Sequence, residues 1–289
     1  MDAGHVPVLL AEAVEWLAPA RGGLFVDATL GLGGHAEAIL ETGLSAHLVG
    51  IDRDPEARAL AVRRLARFGD RVEIVGGDFR DLGTLLAGRR LAGVLADLGV
   101  SSLQLDRAQR GFSFRADGPL DMRMGDSGPT AAHLVATMTE AELERTFRTL
   151  GEEPESRRVA RALVAVRERQ PITTTHQLAE VVRGAKRMRG GRHDRIDPAT
   201  RVFQSLRIEV NQELAALSEL LDAAIAMLDR DGRLVVISYH SLEDRVVKNR
   251  FRDLARGEVD PITGRTSSET EVARNPRARS ARLRAARRL

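Results

Sequence analysis

Phe25-Val26-Asp27-Ala28-Thr29-Leu30-Gly31-Leu32-Gly33-Gly34-His35 is the stretch that most restricts what this chain can fold into. A short apolar run of β-forming residues ends in an acid, glycines follow, and a helical pattern runs from Ala36 to Leu40. A second apolar run, Leu48-Val49-Gly50-Ile51, then ends in Asp52. Strand, glycine turn, helix, strand, acid is a nucleoside-binding βαβ unit: the glycines let backbone approach a ligand, and the second acid meets ribose hydroxyls. A pyrophosphate would rest on the helix N-terminus. Asp27 puts a carboxylate beside that turn, which repels phosphate and suits a cation; its other reading is a turn cap. S-adenosylmethionine has adenosine, no phosphate, a sulfonium and an ammonium, so Asp27 tips the reading from a dinucleotide toward a methyl donor.

Strand-like runs at Leu24–Ala28, His47–Ile51, Val72–Val75 and Val94–Leu98 alternate with helical segments such as Pro55–Phe68. That alternation implies an α/β fold, a parallel sheet covered on both faces. It stops at about Leu105. Helical patterns then follow at Glu140–Leu150, Arg157–Arg169, Thr175–Val182 and Thr200–Leu228, with Thr139 and Thr173-Thr174-Thr175 as N-caps. A buried-type strand returns at Arg233–Ser238 after the turn Asp231-Gly232, and another is expected at Ala281–Arg284. The polar segment Gly257–Pro276 reads as a loop. The expected organisation is a discontinuous sheet domain, 1–104 and 229–289, with an inserted all-helical subdomain, 105–228.

In a doubly wound sheet, ligands sit outside the strand C-termini. Asp52 is the ribose candidate there. Asp78 and Phe79 are placed to meet an adenine, or to form a helix N-cap and a core ring. Asp97-Leu98-Gly99-Val100-Ser101-Ser102 puts a carboxylate, a glycine and hydroxyls at the fourth strand end; Asp97 is placed to hold the donor's ammonium or a substrate amine. The Gly-x-Ser-x-Gly elbow of serine hydrolases is missing. Tyr239 and His240, followed by Glu243 and Asp244, end the last strand as a candidate substrate pocket, with helix capping as the other reading of His240.

The chain has 289 residues, enough for a sizeable core. No apolar run approaches the roughly 20 residues that cross a bilayer, and Met1 to Pro7 lack the pattern of a signal peptide. With no cysteine, disulfides and thiolate metal sites are excluded, which fits a reducing cytoplasm. The seven histidines lack metal-ligand spacing, so no metal is expected. Net charge is only +3, yet arginine concentrates in two stretches, Arg183–Arg195 and Arg274–Arg288. Such clusters suit phosphate backbones, or form a solvated face. Arg187 and Arg189 in the first are candidate substrate contacts. One Trp, one Tyr and eight Phe offer few stacking platforms, so a nucleic acid would be gripped by phosphates and shape.

Taken together, the motifs closely resemble the bacterial small-subunit (16S) ribosomal RNA cytosine-N4 methyltransferases. The matching blocks include His5–Leu10, Asp27–His35, Ile51–Pro55, Asp97–Ser102, Arg110–Phe114, Asp117–Met124, Pro198–Arg201, His240–Arg245 and Asn275–Ser280. They span almost the whole chain, in order. The resemblance implies a Rossmann-like class I S-adenosylmethionine-dependent methyltransferase sheet with an inserted helical domain. It also implies methyl transfer to N4 of a cytidine in the decoding region of 16S ribosomal RNA. Family donor-binding positions map onto Gly33, Gly34, His35, Asp52, Phe79, Asp97 and Gln104. Leu103 stands where many members have Pro, and Tyr239 where Phe is common. Asp97, Ser101 and His240 are the candidate hydrogen-bond acceptors for the reacting amine. The expected partner is 16S ribosomal RNA in the small ribosomal subunit, without a membrane; a homodimer stays open. A non-catalytic RNA-binding assembly factor with a retained donor pocket, and an NAD-linked oxidoreductase, remain the rival readings.

Overall fold

Strands that are apolar on both faces can only lie inside a sheet covered on both sides. The computed structural model, which describes residues 7–187 and 197–289, shows such a sheet. Its strands are β1 (Gly23–Asp27), β2 (Ala46–Asp52), β3 (Val72–Gly76), β4 (Leu91–Asp97), β5 (Leu228–Ser238), β6 (Val259–Thr266) and β7 (Arg282–Arg288). The order is β3-β2-β1-β4-β5-β7-β6. The first five run parallel, and β7 lies antiparallel to both β5 and β6. Alternate residues serve the two faces. Val94, Ala96, Leu234 and Val236 face one core with Leu217, Leu220, Leu221 and Phe251. Leu95, Val235 and Ile237 face the other with Trp16, Leu17, Ile39, Leu40 and Leu65.

The chain divides into two compact units, Met1–Gly99 with Leu214–Leu289, and Val100–Glu213. The second is helical, with helices Ala131–Thr137, Glu140–Leu150, Ser156–Arg167, Thr175–Arg187 and Thr200–Asn211 around its own core of Leu143, Phe147, Leu163, Leu178 and Leu206. Two of its starts use the expected caps. Thr139 and Glu142 form a capping box, and Thr174 Oγ1 accepts from Gln177 N at 3.3 Å.

Three sequence expectations need correction. The helix expected over Thr200–Leu228 is two, Thr200–Asn211 and Glu213–Met227, broken where Gln212 turns left-handed at φ 51°. The second of these packs on the sheet through Leu217, Leu220 and Leu221, so the units part at 99/100 and 213/214 instead of 104/105 and 228/229. The segment Gly257–Pro276 is no plain loop: it holds β6 and the helix Glu269–Arg274. Pro261 and Gly264 hide that strand in the sequence. It is an edge strand paired only with β7, the place where a sheet accepts proline.

Several arginines of the two basic stretches are engaged in ion pairs. Arg284 clasps Asp244 with two hydrogen bonds of 2.6 and 3.1 Å, and Arg282 joins it at 3.3 Å. Arg287 pairs with Asp231 and Asp260, and Arg288 with Glu258. In the helical unit Arg183 grips Asp197 at 2.7 Å, and Lys186 reaches the buried Glu153 at 2.8 Å. Guanidinium forks therefore stitch elements together at Arg282, Arg284, Arg287 and Arg288 of the second stretch and at Arg183 of the first. The side chain of Arg187, and Arg189 altogether, lie outside the described residues. Among the described residues no helix is long and apolar enough to cross a membrane.

Because Glu153 is fully buried, removing its cation strands a charge in the core of the helical unit. Lys186→Ala should lower unfolding stability by about 3 kcal/mol, read by urea denaturation; an unchanged midpoint would make Lys186 a mere surface charge.

Candidate donor-binding site

Parallel pairing in register brings the strand C-termini to one edge of the sheet. Asp27 lies opposite Gly50 and Leu95, Asp52 opposite Gly76, and Asp97 opposite Ile237. The glycine turn is fastened to this edge from below. Leu30 N donates to Ile51 O at 2.9 Å, and Gly31 N donates to Asp52 Oδ2 at 2.8 Å. Asp52 Oδ1 accepts from Asp54 N, also at 2.8 Å. Thr29 Oγ1 accepts the Asp97 amide at 2.7 Å, tying the turn to β4 as well. Gly33 takes φ 77° at the N-cap of helix Gly34–Thr42, a conformation that strains any residue with a Cβ. At Gly34 a Cβ would come 2.4 Å from the Pro7 ring, so both positions require glycine.

Around Asp97 the structure gathers His35, Tyr239 and Asp27. Tyr239 Oη donates to Asp97 Oδ1 at 2.8 Å. His35, itself buried, has Nδ1 3.7 Å from Asp97 Oδ2 and Nε2 3.2 Å from Val8 O. Burial raises the Asp27 carboxyl to about 7, opposed by its hydrogen bond from Thr29 N and helped by the charge of Asp52. Burial raises Asp97 to about 7 too, against the hydrogen bond from Tyr239 and with the charges of Asp27 and Glu243. Asp52 is raised in the same direction, again chiefly by burial. An edge lined by desolvated carboxylates favours a cation, and the site residues fit a donor that carries sulfonium and ammonium charges.

The remaining candidates fall in different places. Phe79 opens a short turn after β3 and packs on the sheet core. Asp78 caps that turn by accepting from Arg80 N and pairs with Arg53 at 3.1 Å, so its carboxylate serves structure before any adenine. His240 is the N-cap of helix Ser241–Leu254, in a capping box with Glu243. Ser101 and Gln104 belong to the helical unit, where they form a capping box with hydrogen bonds of 3.1 and 3.2 Å. Two contributors went unassigned in the sequence. Thr29 binds β4, and Glu243, buried, accepts from the amides of Tyr239 and His240. The i, i+3 spacing of His240 and Glu243 was a capping signal for the second; nothing local marked the first.

A seven-stranded sheet of this order, with β7 reversed and an acidic edge beside a glycine turn, defines a class I S-adenosylmethionine-dependent methyltransferase. A Streptococcus mutans protein solved in complex with SAH shares the fold at TM-score 0.51 and 9% identity, over 99% of this chain and 100% of that one. More particularly, the chain belongs to the MraW methylase family, whose model matches residues 2–289. It is 48% identical to the ribosomal RNA small subunit methyltransferase H of Geotalea uraniireducens, over 99% of this chain and 98% of the relative. The protein of that name from Syntrophotalea carbinolica is 50% identical over 99% of this chain and 98% of its own length.

The raised carboxyls fix a sign for stability. A native carboxyl near 7, raised from an unfolded value near 3.8, stabilises the ligand-free fold when protonated and loses that contribution as pH rises through 7. Between about pH 6 and pH 8 the ligand-free protein should lose about 1 kcal/mol for each such group. Asp27→Asn, which still accepts from Thr29 N, should flatten that slope in urea titrations at the two pH values; an unaltered slope would show that Asp27 ionises normally.

Proposed function

We propose that this methyltransferase acts on 16S ribosomal RNA within the small ribosomal subunit, methylating the exocyclic N4 of one cytidine in the decoding region. The observation that carries the donor half is the acidic edge of Asp27, Asp52 and Asp97, whose burial suits a cationic nucleoside. The acceptor half is supported by near-half identity over the whole chain to proteins named for small-subunit ribosomal RNA, and by the motif resemblance for N4. Action in the cytoplasm follows from that substrate.

When bound, the donor supplies an electrophilic methyl group. The chain's own part is orientation and charge. Asp52 takes the ribose hydroxyls while keeping Gly31 in place. Gly33 and Gly34 allow close backbone approach, His35 steadies the start of the following helix against Val8, and Phe79 borders the adenine. Gln104 is proposed to join this donor set. Asp27 and Asp97 supply negative potential. The lone pair of N4 is delocalised into the cytosine ring, so the amine must be held with that pair aimed at the methyl group. Asp97 accepts hydrogen bonds from the amino protons and offsets the positive charge that develops on nitrogen, with Ser101 the alternative acceptor; His240 borders the base, since its Nδ1 already accepts from the Glu243 amide and its Nε2–H can only donate. Tyr239 flanks this acceptor side, and Arg187 and Arg189 are proposed phosphate contacts. The base must be unstacked to be reached, which suits single-stranded RNA.

Subunits lacking the modification, incubated with labelled S-adenosylmethionine, should yield N4-methylcytidine at a single position on mass mapping. Absence of label would return the protein to an RNA-binding assembly factor. Asp97→Asn should slow single-turnover transfer by about 100-fold or more. Because a cation favours ionised carboxylates, donor binding should release protons and weaken by up to about tenfold per unit as pH falls below about 7, measurable by calorimetry; a flat profile would remove the carboxylates from the donor site.

A further inference from the structure

The three acids of the sheet edge are held in different ways. Backbone amides fix Asp27 and Asp52: Thr29 N donates to the first, and Gly31 N and Asp54 N to the second. Asp97 is fixed by a side chain instead, the Tyr239 hydroxyl at 2.8 Å. That hydroxyl is itself aimed by its surroundings. The Tyr239 amide donates to Glu243 Oε2 at 2.8 Å, and its ring lies against Gly99, where a Cβ would come 3.3 Å from ring carbon Cδ2. Gly99 stands at φ 99°, so the backbone there already excludes a larger residue. The ring fills space that a phenylalanine would fill equally well. Packing therefore does not require the hydroxyl.

We propose that Tyr239 is a positioning residue of the donor site, acting through Asp97: its hydroxyl holds Oδ1 and presents the carboxylate to a cationic ligand as a fixed anion. The inference rests on the reading that this edge binds the methyl donor. A carboxylate oxygen that accepts an O–H bond is restrained in rotamer and stabilised in its charged form. The other oxygen, Oδ2, faces His35 Nδ1 at 3.7 Å. His35 Nε2 lies 3.2 Å from Val8 O. Burial, and the charges of Asp27 from β1 and Glu243 from the helix after His240, favour a protonated Asp97, and the Tyr239 hydrogen bond opposes them. Glu271 acts on the phenol and, with Asp97 and Glu243, helps burial keep it un-ionised well above its ordinary range. The hydroxyl thus remains a donor at every working pH, opposing the two carboxylates that would neutralise Asp97.

S-adenosylhomocysteine, which keeps the ammonium but transfers nothing, is the probe. Its affinity is measured by calorimetry across pH for the wild-type chain, Tyr239→Phe, Asp97→Asn and the double variant. In Tyr239→Phe the dissociation constant at neutral pH should rise by about tenfold, and the pH below which binding weakens should move up by about one unit. Raising the pH should restore the affinity. In the Asp97→Asn background, loss of the hydroxyl should change little, because the two residues act as one unit. Equal pH profiles for wild type and Tyr239→Phe, or equal losses in both backgrounds, overturn the role of Tyr239 and leave the donor site standing. A wild-type chain that binds no probe at any pH overturns the donor site as well.

Discussion

Gathering carboxylates at the ends of adjacent parallel strands, Asp27 buried and Asp52 and Asp97 half-buried, is the constraint on which the candidate site depends. The register places Asp27, Asp52 and Asp97 on one edge, and desolvation pushes each toward its neutral form. Desolvation of an acid in that position is unfavourable, and backbone amides offset part of it at Asp27 and Asp52. The glycine turn, the tie from Thr29 to β4 and the clasp of Asp52 on Gly31 hold the edge in shape while it bears that cost. If these acids hold the donor as proposed, stability and binding are opposed at them, and a neutral substitution that steadies the fold would weaken the site.

The basic residues tell a different story from the one their density suggests. Arg282 and Arg284 close on Asp244, which fastens the helix after His240 to β7, and Arg287 bridges Asp231 and Asp260. Asp244 carries the signature of that clasp: burial alone would raise its carboxyl, yet the two guanidiniums hold it below its ordinary value. Arginine here is largely a stitching residue, chosen for a planar fork that meets a carboxylate with two parallel bonds.

Legibility followed burial. Interior strands such as β4 and β5 stood out because apolar residues crowd both faces, and the cap at Thr139 stood out because its capping box is local. Edge strand β6 did not, since one neighbour suffices to hold it and it tolerates Pro261. The break at Gln212 left no mark either: the helical pattern continues through it, and the left-handed turn is paid for by Leu217 and Leu220 reaching the sheet. Of the candidate site, the glycines, Asp52 and Asp97 were visible as strand-end residues. The cap at His240 was legible as a local spacing with Glu243, whereas the partnership of Tyr239 with Asp97 depended on which chain segments lie side by side.

By itself the sequence determined the βαβ start, the parallel sheet with a helical insertion, and the set of acids and glycines available to a nucleoside donor. Those are consequences of side-chain periodicity and of backbone conformations open only to glycine, both of which act over a few residues. Tertiary structure alone decided which acids are desolvated, which arginines are consumed by ion pairs, and which hydroxyl meets Asp97 from 142 residues away. Burial and hydrogen-bond partners across such distances are set by strand register and packing, and no local pattern encodes them.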